Sequence, residues 1–250
     1  MSRFKGTAKS RDGDAEKREL PPPGNHAAVL IGLIDLGTQD VSYGDKKAEA
    51  AKVMLIWELT SEPLQGTTNR NHVIACDYRL SHHSKAALRQ GYESWLGRKL
   101  ADGEEYDYAE KLAHPCLLNI VHGKGKESGN EYAKVDGFGP ILKGMTVQPP
   151  RHQPFVWTIT GGLELRNPTT KAMEPAPNGD LPEWEWLPFL YGRSVHEVIA
   201  DSPEWKSLHS SGPKKAAPPA SDTNGTSEPK PARTAKEVSE PEPAGSDIPW

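Results

Sequence analysis

From Asn25 to about Met145 runs the one segment of this chain dense enough in apolar residues to build a core, and its hydrophobic period changes in a set order. "HAAVLIGLIDLG" (26–37) reads as an apolar strand with Gly32 in its middle, where a missing side chain permits a bend or bulge. In "KVMLIWEL" (52–59), Val53, Leu55, Trp57 and Leu59 share one face by period two, with Lys52 and Glu58 on the other. "NHVIACDYRLS" (71–81) repeats the alternation through Ile74, Cys76, Tyr78 and Leu80. The period then lengthens to that of a helix in "SKAALRQGYESWLG" (84–97), with Ser84 as N-cap, Leu88, Tyr92, Trp95 and Leu96 on one side, and Gly97 as the stop. One turn is expected in "DYAEKLA". Strand signals return in "PCLLNIVHG" (115–123), which a glycine-rich turn joins to "EYAKVDGFGPI" (131–141) as a hairpin.

Strand, strand, strand, helix, strand, strand, with no helix in most crossovers, argues against a parallel α/β sheet. It is the order of a five-stranded OB-fold Greek-key barrel with its helix between strands 3 and 4, and a mainly β fold of that kind is the expectation. Four regions follow. Residues 1–24 form a flexible N-terminal arm closed by "LPPPG", whose prolines exclude helix and ladder donation. The barrel, expected to hold single-stranded nucleic acid, spans 25–145. Residues 146–210 form an appendage packed on it, with a further strand expected in "QPFVWTIT" and a helix at about 191–200. The Pro-, Ala-, Ser-, Lys- and Glu-rich stretch 211–250 lacks the apolar residues to fold and reads as a disordered tail ending in a partner-binding tip.

Composition narrows the function classes. The formal net charge of −4 announces no nucleic-acid partner at the level of the whole chain, and between His26 and Lys143 acids slightly outnumber bases. A DNA-binding face must therefore be a local stripe. The two cysteines, Cys76 and Cys116, form no Cys-x-x-Cys pair and suit a reducing cytoplasm. No apolar leader and no run of 18 apolar residues is present, so a membrane protein is not expected.

The stripe has candidates. Lys46 and Lys47 lie in the charged stretch "TQDVSYGDKKAEAAK" between the first two strands, read as a loop, and Lys124 and Lys126 lie in the turn between the last two. In an OB barrel those loops flank the face where a single strand lies. Cations track phosphates and aromatics stack bases, so Lys52, Arg79 and Lys134 with Trp57 and Tyr132 complete a DNA-binding set. Trp57 has an equal place as a core residue, and single loop lysines as solvated charges. Cys76 and His82, and likewise Cys116 and His122, are six apart. Six strand residues span about 20 Å at ~3.3 Å each, too far for one zinc, so no metal is expected. Carboxylate-rich "DGEEYDYAE" and "PEWEW" adjoin no recognisable base or nucleophile, and "GKGKESG" lacks the spacing of a phosphate loop. No catalytic residue and no cofactor is assigned.

The tail ends "EPEPAGSDIPW", acidic and without Lys or Arg, and finishing on two apolar residues that disordered tails usually lack. Acids can steer such a tip to a basic patch while Ile248 and Trp250 fill a pocket and an Arg pairs with the terminal carboxylate. Asp247, Ile248, Pro249 and Trp250 are the partner-binding candidates. With barrel order and tip both in view, the chain resembles phage-encoded single-stranded DNA-binding proteins. "SDIPW" is similar to the acidic Asp-Ile-Pro-Phe ending of that group. The stretch beginning "PPPGNHAAVLIGLIDLG", the stretch "DYRLSHHSKAALRQGYESWLGRKL" and "LPEWEWLPFLYGRSVHEVIADSPEW" are similar to its body. Trp250 replaces the usual Phe, and the tip is less acidic than the group's Asp run. The resemblance implies non-catalytic, sequence-independent coating of single-stranded DNA in phage replication or recombination. It also implies recruitment of replication or recombination proteins through the tip, and a bacterial host cytoplasm as the setting. Homo-oligomers are compatible with it. The rival is a phage interaction or structural module that never touches nucleic acid; a metal-dependent nuclease built on the acidic loops is a third candidate.

Overall fold

A computed structural model describes residues 19–43, 46–65, 70–125, 129–181 and 193–210, with Trp184, Leu187 and Leu190; for 42, 43, 46 and 47 the description covers the backbone alone. Lys126 and the tip at 247–250 lie outside the described residues, as does the expected tail.

The described chain is mainly β. In order come β1 (Gly24–Tyr43), β2 (Lys46–Pro63), β3 (Asn71–Arg79), α1 (Ala87–Leu96), a 3-10 turn (Tyr108–Lys111), β4 (Pro115–Lys124), β5 (Glu131–Gly139), β6 (Phe155–Thr158), β7 (Gly162–Arg166), β8 (Met173–Pro175), α2 (Val195–Ala200) and α3 (Pro203–Ser210). The three-strand, helix, two-strand order is the one expected from the sequence. Helix α1 starts two residues later than Ser84 implies: Ala86 is its N-cap, without a side-chain cap bond. Gly97 stops it as expected, at φ 70°, where its N–H reaches back to Glu93 and Ser94 carbonyls.

The stretch read as a charged loop is instead a hairpin arm. β1 and β2 stay paired, with one register shift at Asp35/Gly37, from Asp35↔Val53 out to Tyr43↔Lys46, leaving two residues between the strands. The Gly44-Asp45 pair is a hairpin signal that the surrounding charge conceals.

Strand β1 organises the sheet. One edge pairs with β2 along nearly its whole length. The other is shared: β4 pairs antiparallel from Gly24↔Ile120 to Val29↔Pro115, and β6 pairs parallel from Gly32↔Phe155 to Ile34↔Trp157. The handover coincides with a register shift between Leu30 and Gly32, a bulge that bends the strand. A Cβ on Gly32 would come within 2.7 Å of the buried Phe155 ring, so glycine is what lets β6 approach. Beyond β6 the sheet continues through β7 to β8, and on the other side β5 pairs with β4, giving one mixed sheet of eight strands. β5 also approaches β3, where Tyr78 meets Phe138 edge-on at 6.0 Å.

Two cores lie on the two faces of β1 and β2. Inside, Leu30, Leu33, Leu55, Trp57, Leu118, Ile120, Val135 and Phe138 are closed over by Leu88, Tyr92 and Trp95 of α1. Outside, Ile31, Ile34, Met54 and Ile56 pack beneath Phe155, Trp157, Leu163, Val195, Val198 and Ile199. Burial on both faces explains why β2 reads as the unbroken apolar run "VMLIW" rather than a polar–apolar alternation. Helix α2 opens on a complete capping box, Ser194 with Glu197. Glu204 of α3 accepts from the N–H and hydroxyl of Thr38 at 3.0 and 2.6 Å, fastening α3 to the arm. Gly37, at φ 66°, leaves the space that Ser202 fills.

Candidate nucleic-acid interface

The described residues expected to hold a strand fall in four places. Trp57 is fully buried, its ring 5.5 Å from Phe138 in the inner core. It faces no solvent and cannot stack a base; here the core alternative is the right one. The physical reason is its phase in β2, shared with Leu55 and Leu59, which the helix α1 and strand β5 cover.

Lys52 and Arg79 are cross-strand partners at one end of the β2–β3 ladder. Both are half-buried, and the Lys52 ammonium lies 2.8 Å from Asp77, so much of its charge is met within the fold. Lys52, Asp77 and Arg79 line a cleft of about 830 Å³ with Asp40, His83 and Lys85. The cleft mixes signs, a poor match for a polyanion as it stands.

The β4–β5 hairpin is different. Tyr132 is 48% exposed and lies over Gly123, where an added Cβ would come within 2.8 Å of the ring. Glycine lets the phenol rest on the neighbouring strand with one face open to solvent. Lys134, two residues on and therefore on the same face, is exposed and pairs across to Val121. Lys124, 75% exposed at the hairpin end, is 3.9 Å from Glu131, a loose surface pair worth little in water. Cation, open ring and cation within one hairpin is the combination that single-strand binding uses.

The two loops do not converge. Lys46 closes the hairpin arm at the C-terminal end of β1, whereas β4 runs past Gly24 at the other end toward Lys124. Any strand touching both would have to follow the length of β1.

The cysteine–histidine pairs separate. Cys76 and Cys116 belong to the inner core, and burial pushes both thiols up, away from the reactive thiolate. His82 bonds the Tyr106 hydroxyl at 3.1 Å, and His122 donates to the Pro21 carbonyl at 2.8 Å.

A buried carboxylate that the sequence placed only as "the other face" of β2 has a specific task. Glu58 is fully buried. It accepts from Asn71 Nδ2 at 2.6 Å, from the backbone N–H groups of Arg151 and His152 at 2.9 and 3.0 Å, and from His152 Nδ1 at 2.7 Å. Burial alone would raise its pKa, but the hydrogen bonds from His152, Arg151 and Asn71 outweigh it and hold the carboxyl below its ordinary range. Glu58 thus tethers the proline-rich segment around 149–154 to β2. The sequence signal for it was an acid in an otherwise apolar strand, which marks a buried partner without naming it.

No protein-family model matches the chain, and no curated protein matches it. Among the described residues, no helix is long and apolar enough to cross a membrane.

Proposed function

We propose that this chain is a sequence-independent single-stranded DNA-binding protein of the phage-encoded kind, non-catalytic, acting in DNA replication or recombination in a bacterial host. Its barrel takes the OB-fold form and its tip, Asp247 to Trp250, recruits partner proteins. The connectivity favours that barrel: β1 lies between β2 and β4, β5 lies beside β4 and near β3, and α1 joins β3 to β4. The observation that carries the binding function is the exposed Tyr132 ring over Gly123 with Lys134 on the same face, while Lys124 stands at the end of that hairpin on its other face. Bases stack on the ring and phosphates follow the lysines, without base-edge hydrogen bonds.

The test is fluorescence anisotropy of labelled oligo-dT with the full chain, across a salt series. Binding is expected to weaken with a log–log slope of about −0.7 per phosphate contacted. Tyr132→Ala is expected to cost about 1–3 kcal/mol of affinity for one lost stacking platform while leaving the melting temperature unchanged. Tight binding that ignores Tyr132, or no binding at low salt, removes this reading.

A second reading has its own observation. The outer face of β2 and β3, where OB barrels take their ligands, packs through Met54, Ile56, Val73 and Ala75 into the layer that holds Phe155, Trp157, Val198 and Ile199, and Lys52 is paired with Asp77. A docking module that never meets nucleic acid fits those two facts, and the oligo-dT titration separates the two readings.

A further inference from the structure

Among the described residues, two non-glycine residues adopt positive φ, Ala113 at 62° and Lys171 at 63°. Each such conformation is strained for an L-residue, and strain of this kind gathers where a protein holds a ligand. Both residues line the same cavity, a space of about 710 Å³ on the flank of the barrel. That volume suits a nucleotide-sized ligand.

Its chemistry is one-sided. Arg151, His152, Arg166 and Lys171 line it, and none of its described lining residues is acidic. Arg166 bridges the two strained segments: Nη1 donates to the Leu112 carbonyl at 3.2 Å and Nε to the Lys171 carbonyl at 3.3 Å. The Lys171 ammonium donates to the Pro168 carbonyl. Carbonyls satisfy these donors without cancelling their charge, so two cations stand beside the cavity with donors to spare. Pro149, Pro150, Pro154 and Pro168 supply rigid apolar walls. The wall that carries Arg151 is held by Glu58, through the backbone N–H groups of Arg151 and His152. The turn that carries Lys171 is held by Asn167, whose Oδ1 accepts from Thr169 and Thr170 N–H groups and whose carbonyl accepts from Lys171 N–H. Asn167 also donates to Glu174 at 2.7 Å, the nearest acid to the turn by hydrogen bond.

A fixed guanidinium fork and an ammonium without an acidic counterpart recognise a phosphoryl oxyanion. We propose that this cavity is a nucleotide-phosphate site, with Arg166 and Lys171 as the phosphate ligands and the proline rings as the surface for sugar or base. The site lies outside the β4–β5 hairpin. It rests on the DNA-binding reading only for the source of its phosphate, which is either a strand crossing the flank of the barrel or a free nucleotide.

The experiment titrates thymidine 5′-monophosphate calorimetrically, and labelled oligo-dT by anisotropy, into the full chain and into Arg166→Gln/Lys171→Gln. Circular dichroism melting checks that the variant folds. The mononucleotide is expected to bind the wild type and to weaken about tenfold or more on losing two charge-assisted contacts. If the oligo-dT salt slope also falls by about 0.7, one phosphate of the strand sits here. If that slope is unchanged, the ligand is the free nucleotide. Mononucleotide binding without any oligo-dT binding by the wild type leaves this site standing and removes the DNA-binding function. Neither mononucleotide affinity nor oligo-dT slope differing between wild type and variant overturns the site. Lys171→Gly guards against a misfolded double variant, because it relieves the strained backbone. It is expected to melt no lower than the wild type and still to bind the mononucleotide more weakly.

Discussion

The two faces of β2 are built from adjacent residues, yet they answer to different parts of the chain. Val53, Leu55, Trp57 and Leu59 turn inward and meet partners from β1, β3, β4, β5 and α1. Met54 and Ile56 turn outward and meet partners from β6, β7 and the helices that follow residue 194. The inner core belongs to the segment whose period could be read directly. The outer core is a second layer brought from up to 145 residues further on, from Met54 to Ile199, and its supplier has little periodicity of its own. A strand buried on both faces carries no alternation to say which neighbour covers which side.

The sharpest way to test that division is to remove one large residue from the inner face. Trp57→Ala is expected to destabilise the fold by about 3–5 kcal/mol, as a loss in urea midpoint at unchanged m-value. A loss near 1 kcal/mol would mean that the inner core is loosely packed and that the outer layer holds the sheet together.

The outer layer is joined to β2 by a polar link as well. Glu58→Ala leaves the N–H groups of Arg151 and His152 and the Asn71 amide without their acceptor, and is expected to cost about 3 kcal/mol. Proteolysis between Leu142 and Pro154 should accelerate in the same variant. If stability falls and cleavage does not, the segment is held by its prolines and by β6, and Glu58 is only a satisfied core acid. The wild-type carboxyl sits below its ordinary pKa, so its contribution is present above about pH 4.5 and is lost as pH falls through the lower folded value.

The smallest effect concerns the helix that covers the inner core. Glu93 of α1 is buried between Lys99 Nζ and Arg89 Nε, each 2.9 Å away, and accepts from Leu100 N–H. Hydrogen bonds from Lys99 and Arg89 pull its carboxyl down to about 2 from 4.5, against burial, which would raise it. A depressed acid stabilises the fold above the unfolded value and loses that contribution as pH falls through the folded one. Glu93→Gln should therefore lower the melting temperature at pH 7, and the gap to wild type should close between about pH 4.5 and 2. A gap independent of pH would point to packing rather than charge.

Legibility followed the same division. The inner face, the α1 stripe and the Gly97 stop were readable because side-chain period and burial coincide there. The single turn before β4 and the strand in "QPFVWTIT" were readable as well. The hairpin arm reads as a loop because its charges suit solvent on either account, and only ladder pairing distinguishes them. Of the expected DNA-binding residues, Tyr132, Lys134 and Lys124 share one hairpin, Lys52 and Arg79 share another ladder, and Trp57 is inside. Residue type placed them all as candidates; phase and covering layers divided them. Arg166 and Lys171 carry no signal in the sequence, because a cation in a turn looks like any other until a cavity and a strained backbone adjoin it.

Local sequence sets which stretches run as strand or helix, where α1 stops, and that the described chain is mainly β. Those are set within a few residues, by side-chain size, branching and period. Tertiary structure alone decided that β1 would share one edge between β4 and β6, that Glu58 would hold the segment at 151 and 152, and that Ala113 and Lys171 would border one cavity. Such contacts join positions tens of residues apart. Closing those distances depends on burying both faces of β1 and β2 at once, a requirement that no single stretch of sequence displays.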